Sequence, residues 1–383
     1  MPRLRNKIIL ILSPQAWGKM FLSKHHYAIE LAKLGNVVYF LNPPAQTPAN
    51  LKKSIEIKYS HVHPNLFLID HRLYFPYWLK FKFFFAFHWL MKFQVKRILK
   101  KIERPIDIIW SYDIGNFYPF GFFNRDALRI FHPVDEPLNL PAIEAAEGAE
   151  IIFSVTEEIL SKYSKYDVPK HLIRHGLAGD FVDLPLNATV NKPLHIGYSG
   201  NLSRNDIDRE TLFKIIEENR NCIFEFWGSF TADQSNIGGA LDSETEDFIA
   251  RLRSNSNVVL HGVVPTAELA IAINRMQAFL ICYDVQRDQS KGTNSHKVME
   301  YLSTGKVIIS SNLTSYEKHP ELVQMVPDRN HNHSLPLLFK QIINQLDEYN
   351  SIPQQEQRKE YARENSYANQ VFRIEKILIE MKK

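Results

Sequence analysis

SKGTNSHKVMEYLSTGKV, Ser290 to Val307, decides how the rest of the chain is read. It predicts a polar loop, a helix with a start and a stop, and a buried strand. Asn294 or Ser295 can cap the helix, because a short side-chain oxygen satisfies the free amides of a first turn. Val298, Tyr301 and Leu302 recur at i, i+3 and i+4 and give the helix an apolar face. Gly305 falls where a left-handed residue ends a helix. Val307, Ile308 and Ile309 then predict a short parallel strand covered on both faces. The amides and dipole of such a helix start favour an anion, phosphate above all. Glu300 lies five residues past Ser295, or about 7–8 Å along the axis. That is close to the span from a bound diphosphate to the ribose of the same nucleotide, and a carboxylate there can accept both ribose hydroxyls.

The segments before this stretch repeat one theme. His195 to Tyr198 predicts a strand that ends in Ser199, Gly200 and Asn201. Cys222 to Trp227 is a strand with Gly228 at its end, and Asn257 to Leu260 is one with Gly262 just beyond it. Ala278 to Cys282 feeds the 283–295 loop. All these ends fall on one side of a parallel sheet, where ligands of such sheets bind. Arg204 and Arg209 follow the first turn, and a guanidinium can hold phosphate in a bidentate manner. Asp206 and Asp208 have the spacing of a metal-chelating pair, but between a turn and a helix they read as helix caps. No metal site is expected.

The N-terminal part opens as a βαβ unit: strand Lys7–Ser13, a loop carrying Trp17 and Gly18, helix Ser23–Leu34 stopped by Gly35, and strand Val37–Leu41. The loop is not GxGxxG, so no dinucleotide fingerprint is present, yet Gly18 sits beyond a strand end and is a candidate ligand-binding residue. Strand Ile106–Tyr112 runs into Asp113. Strand Leu128–Phe131 runs into His132, Pro133, Val134, Asp135 and Glu136. His132 has the intrinsic pKa to exchange protons near neutrality. His132 and Asp135 are the candidate catalytic pair; the alternative is a structural turn with Asp135 as a cap. Arg72 to Arg104 crowds aromatics into one helix-like run, with Lys92, Lys96 and Lys100 in a stripe. That pattern suits a helix lying on an anionic membrane. It also suits a core helix whose lysines snorkel past buried rings.

The chain has 383 residues, enough for two domains. A net charge of only +4 argues against a nucleic-acid binder by charge. Cys222 and Cys282 lie in apolar runs and predict inert thiols of a reduced, cytoplasmic protein. The apolar run at Ile8–Leu12 is too short for a secretory leader. No stretch reaches the roughly 18 apolar residues of a spanning helix.

The opening stretch resembles the donor-site motif of retaining GT-B glycosyltransferases of family 4 and its relatives. Asn294, Lys297, Glu300, Tyr301, Leu302, Gly305 and Lys306 match. The family's other glutamate would fall at Gly292, so that half of its pattern is absent. His175, Gly176 and Phe181 in HLIRHGLAGDF match the segment that closes the family's N-terminal domain. ARENSYANQV, Ala362 to Val371, is similar to its closing helix. The resemblance implies two Rossmann-like α/β domains facing a cleft, with residues 1–185 on the acceptor side and 191–355 on the nucleotide-sugar side. Residues 356–383 would cross back onto the first domain. It further implies retaining, metal-independent sugar transfer, with a nucleotide sugar as co-substrate and no other cofactor. The acceptor would be a glycan or lipid-linked molecule of surface polysaccharide synthesis, met at the inner face of the cell membrane. A nucleotide-sugar epimerase of the same fold and an inactive scaffold remain as alternatives.

Overall fold

The computed structural model describes residues 4–18, 21–45, 54–186, 192–230, 242–284, 286–287 and 296–381. The chain divides into two compact units, one of Met1–Arg174 with Tyr367–Lys383 and one of His175–Ser366. Both are α/β.

In the first unit the strands are β1 (Ile8–Leu12), β2 (Val37–Leu41), β3 (Ile55–Tyr59), β4 (Leu66–His71), β5 (Ile108–Ser111), β6 (Leu128–Phe131), β7 (Ile151–Ser154) and β8 (Lys170–Leu172). Their order is β3-β4-β2-β1-β5-β6-β7-β8. Every pairing is parallel except β3 with β4. The expectations over residues 7–41 therefore stand. β3 is not announced by the sequence, because IEIKY mixes charge with apolar residues. It is an edge strand, with one ladder unpaired and its last two residues exposed. The helices are α1 (Ser23–Lys33), α2 (Leu79–Lys82), α3 (Phe84–Ile102), α4 (Leu140–Glu144) and α5 (Glu157–Lys162). Thr156 caps α5, its hydroxyl accepting from the Ile159 amide at 3.2 Å. Strand alternation splits the core in two. Leu10 and Leu12 face Phe87, Met91, Val95 and Ile98 of α3, whereas Ile9 and Ile11 face Tyr27 and Leu31 of α1.

The second unit has β9 (Leu194–Ser199), β10 (Cys222–Trp227), β11 (Val258–Gly262), β12 (Ala278–Ile281), β13 (Val307–Ser310) and β14 (Gln324–Met325). The all-parallel order is β11-β10-β9-β12-β13-β14. Its helices are α6 (Arg209–Glu218), α7 (Ser243–Ser254), α8 (Thr266–Ile273), α9 (His296–Thr304), α10 (Leu335–Asn344), α11 (Leu346–Tyr349) and α12 (Ile352–Glu364). One sheet face packs against α6, α7 and α10, and the other against α8 and α9.

The units meet in sequence at 174/175, earlier than the expected 185. The physical reason is Leu177 and Phe181, which are buried in the same cluster as Ile273 and Val298 of the second unit. The return to the first unit begins at Tyr367 rather than 356. There α13 (Tyr367–Glu380) lays Val371, Ile374 and Leu378 against α1, and Tyr367 stacks on His26 at 4.8 Å. By contrast α12 belongs to the second unit. Cys222 and Cys282 are both buried and unpaired, and burial pushes the Cys222 thiol up to about 11, as inert thiols require.

Candidate functional site

The site grows from α9. Val298, Tyr301 and Leu302 are wholly buried, each stabilising the docked helix by about 1.5–3 kcal/mol. Gly305 ends the helix with φ 78, and a Cβ there would lie 2.8 Å from Gln355 of α12. The buried Arg358 donates to the Gly305 carbonyl at 2.9 Å, and Lys359 donates to the Ser303 carbonyl at 3.1 Å. Cations thus satisfy the negative end of the helix. Asn294, Ser295 and Gly292 lie outside the described residues.

Tyr301 ties α9 to the end of β9. Its hydroxyl accepts from the Ser199 amide at 2.6 Å and stands 3.1 Å from the Ser199 hydroxyl. Beyond Ser199 three glycines end three adjacent strands. The Gly200 amide donates to the Trp227 carbonyl, and the Gly228 amide to the Gly262 carbonyl, each at 2.8 Å. Gly228 has φ 126, and a Cβ on it would meet the Gly200 carbonyl oxygen at 2.0 Å. Backbone cannot yield there as a side chain can. Gly228→Ala should therefore cost about 2–4 kcal/mol of stability, checked by denaturant unfolding. A variant as stable as the wild type would contradict the packing described.

Lys297 is the charged centre of this arrangement. Only 5% exposed, its ammonium donates to the Tyr198 hydroxyl at 3.1 Å and sits 4.2 Å from the Tyr198 ring and 5.3 Å from the Tyr283 ring. A Cβ on Gly200 would come within 2.6 Å of it, so glycine is what lets the ammonium reach the turn. Burial works against its charge, the phenols of Tyr198 and Tyr283 work for it, and the balance holds it above the ordinary lysine value. Among the described residues its hydrogen-bond partner is a phenol, and its nearest ring neighbours are Tyr198 and Tyr283. One turn on, the half-buried Glu300 is pushed up to about 7 by burial, against the pull of Lys297 and a hydrogen bond from Ser199. Ser199, Gly200, Gly228, Gly262, Lys297 and Glu300 are thus brought together.

Asn201 and Arg204 lie beside this cluster, each engaged with a neighbour. Asn201 accepts from the Ser203 amide at 2.9 Å and shapes the turn. Arg204 pairs with Asp206 through two nitrogens and lies 5.9 Å from the Tyr283 ring, so its charge is already met. Asp208 caps α6, accepting from the Thr211 amide at 3.0 Å. Asp206 is therefore an ion-pair partner rather than a cap. Arg209 donates to Thr245 at 2.8 Å. Among the described residues no group of three or more His, Cys, Asp or Glu could hold a metal ion.

In the first unit, Gly18 is exposed in the loop after β1. His132 is a core residue: 0% exposed, stacked at 5.1 Å on Tyr112, with Trp110 donating to its Nδ1 at 3.3 Å. Burial pulls its pKa down to about 3, so it stays neutral and cannot exchange protons as expected from the sequence. Asp135 is exposed and caps nothing, since α4 is capped by Asn139. Its charge instead supports the buried Lys24, whose pKa burial lowers to about 8. Nothing in the sequence marks Lys24 as buried. Lys92, Lys96 and Lys100 are all exposed on α3. No helix of the described residues is long and apolar enough to cross a membrane.

No family model matches the chain, and no curated protein sequence matches it. Solved structures do. A sucrose-phosphate synthase from Thermosynechococcus elongatus superposes with TM-score 0.67 at 12% identity, covering 98% of this chain and 99% of that one. Anabaena HepE, solved with UDP and glucose, gives 0.64 at 12% identity, with 97% and 99% covered. WaaG, a glycosyltransferase of lipopolysaccharide biosynthesis, gives 0.63 at 11% identity, with the same coverage. With its two sheets, parallel but for β3, matched over nearly the whole of each of these chains, this protein has the GT-B fold.

Proposed function

We propose that the chain is a glycosyltransferase that moves a sugar from a nucleotide-diphosphate sugar to a glycan or lipid-linked acceptor in surface polysaccharide synthesis. The observation that carries this reading is Lys297: a buried ammonium held by phenols over a glycine turn, one helical turn before a carboxylate. A diphosphate at the turn meets the ammonium and the positive end of α9, and the ribose then falls to Glu300. The leaving group is a phosphate, so stabilising its charge is the main catalytic task. Lys297 supplies that charge without a metal. The UDP and glucose bound by HepE support a UDP-sugar as the donor to try first. Retention of configuration follows the family that the Ser290–Val307 stretch resembles. The test is incubation with a panel of sugar nucleotides in EDTA, with and without a membrane lipid extract. Release of nucleoside diphosphate together with a glycosylated lipid is the expected result. Interconversion of the sugar nucleotide without acceptor would overturn it in favour of an epimerase.

The same reading places the protein at the cytoplasmic face of an anionic membrane. Phe81, Phe83, Phe85 and Trp89 are 74%, 59%, 91% and 62% exposed, although α3 buries its other face in the core. Lys92, Lys96 and Lys100 continue the exposed side. Each lysine near an anionic surface is worth about 1 kcal/mol, fading beyond a Debye length. Replacing the three by glutamate should release the protein from phosphatidylglycerol vesicles in low-salt co-sedimentation and leave nucleotide binding intact. Equal sedimentation of the triple variant would contradict it.

A further inference from the structure

The carboxyl end of α9 is met by buried polar side chains of α12 and of the turn before it. Arg358 is 1% exposed. Its Nη1 donates to the Gly305 carbonyl at 2.9 Å and the Tyr349 carbonyl at 2.8 Å, and its Nε donates to the Glu321 carbonyl at 3.3 Å. Lys359, the next residue, donates to the Ser303 and Leu184 carbonyls. Asn350, just before α12, works on the strands instead. Its Oδ1 accepts from the Val307 amide at the start of β13 at 2.9 Å, and its Nδ2 donates to the Gln277 carbonyl ahead of β12 at 2.7 Å. Gln355 fastens α12 to this asparagine, donating to its carbonyl at 2.6 Å.

Stability alone does not call for a guanidinium in such a place. A buried cation gives up its hydration, and an apolar side chain of similar volume often serves stability as well. What only a cation supplies is a charge opposite to the negative end of a helix. Burial lowers the Arg358 pKa only to about 10, so that charge is kept at neutral pH. The planar fork also joins three segments: the end of α9, the end of α11 and the chain before β14. It therefore fixes where the end of α9 lies. A second fixed point is Tyr301, whose hydroxyl accepts from the Ser199 amide at 2.6 Å. Gly305 lies four residues to one side of Tyr301 and Lys297 four residues to the other, arms of about 6 Å each. A helix is stiff over two turns, so a shift at Gly305 is carried past Tyr301 to Lys297 in nearly equal measure.

We propose that Arg358 is a positioning residue for the site on α9, pinning the carboxyl end of the helix so that Lys297 and Glu300 stand where a nucleoside diphosphate meets them. This rests on the donor reading above and adds to it a residue of a different helix. Two measurements on the full chain test it. Hydrogen exchange without nucleotide reads the pinning: Arg358→Met, which keeps an apolar stem, should speed exchange of the amides of residues 300–304 by about tenfold and leave β9 and β10 unchanged. Calorimetry with a nucleoside diphosphate reads the consequence. Arg358→Met should weaken binding by about tenfold, within the range for a residue that acts on a site without touching the ligand. Arg358→Lys returns charge to the helix end and should recover most of that loss. Asn350→Ala is the control: it should melt earlier, yet bind the diphosphate as wild type does at a temperature where it is folded. In the Lys297→Met background, Arg358→Met should add less than about threefold, because one of the two groups it positions is gone. Lys359→Met, which loses the Ser303 contact, is the milder variant should Arg358→Met unfold. Unchanged affinity in the folded variants overturns the proposal whatever the exchange shows. So does an equal loss in Asn350→Ala, which would mean general loosening of the unit. If no nucleoside diphosphate binds the wild type, the donor reading fails, while the exchange of α9 still decides whether Arg358 pins the helix.

Discussion

Lys297→Met should lower kcat/KM for sugar transfer by about 10²–10³-fold, the usual effect of deleting one preorganised group that stabilises developing charge. Methionine keeps the stem that packs against the Tyr198 and Tyr283 rings, so the fold should survive. What is lost is the buried ammonium that donates to the Tyr198 hydroxyl at the glycine turn. Arginine should not rescue it. The ammonium donates to the Tyr198 hydroxyl at 3.1 Å, and a longer, planar guanidinium does not place its charge at that point. The measurement is steady-state transfer from the donor identified in the panel, with circular dichroism as the control for folding. A folded Lys297→Met variant with wild-type turnover would remove the charge centre from the mechanism.

Glu300→Ala should weaken nucleotide binding by about 10–100-fold, since hydrogen bonds to a charged group contribute about 1.5–3 kcal/mol each. The carboxyl, held up to about 7 by burial, adds a signature in pH. Only its ionised form accepts from both ribose hydroxyls, so affinity should rise between pH 6 and 8 and stay flat in Glu300→Gln. Stability of the empty protein runs the opposite way. The folded value lies above the ordinary 4.5, so the stability Glu300 contributes is fully present below about pH 4.5 and is lost as pH rises through about 7. Glu300→Gln should therefore melt higher than wild type at pH 8. Calorimetry across pH and thermal melts check the two slopes, and a pH-independent wild type would contradict the placement of the carboxylate.

How far the sequence could be read differs between the two units for a physical reason. Helix α9 carries its evidence locally: an apolar face at helical spacing, a glycine stop and a following apolar strand. All of these appear in the structure as expected. The glycine ends of β9, β10 and β11 were equally legible, because a strand followed by glycine is a local pattern. The clamp on Lys297 was not, since Tyr198 lies 99 residues away in sequence. His132 shows the converse limit. Being next to a strand end suggests a polar cleft, but β6 turns that side chain into the core beside Tyr27, Trp110 and Phe153. Asp113, at the end of the neighbouring β5, is the residue that lines a pocket. Only the three-dimensional neighbours of each strand end separate the two.

The most direct test is a calorimetric titration of the full chain at pH 8, in EDTA, with nucleoside diphosphates and their sugar derivatives. Saturable binding of one base's diphosphate in a single site, weakened in Glu300→Ala and in Lys297→Met, is the expected result. If none of these compounds binds to the folded wild-type protein, or if binding appears only when a divalent metal replaces the chelator, the site built on Lys297 and Glu300 is not a donor site of the kind proposed.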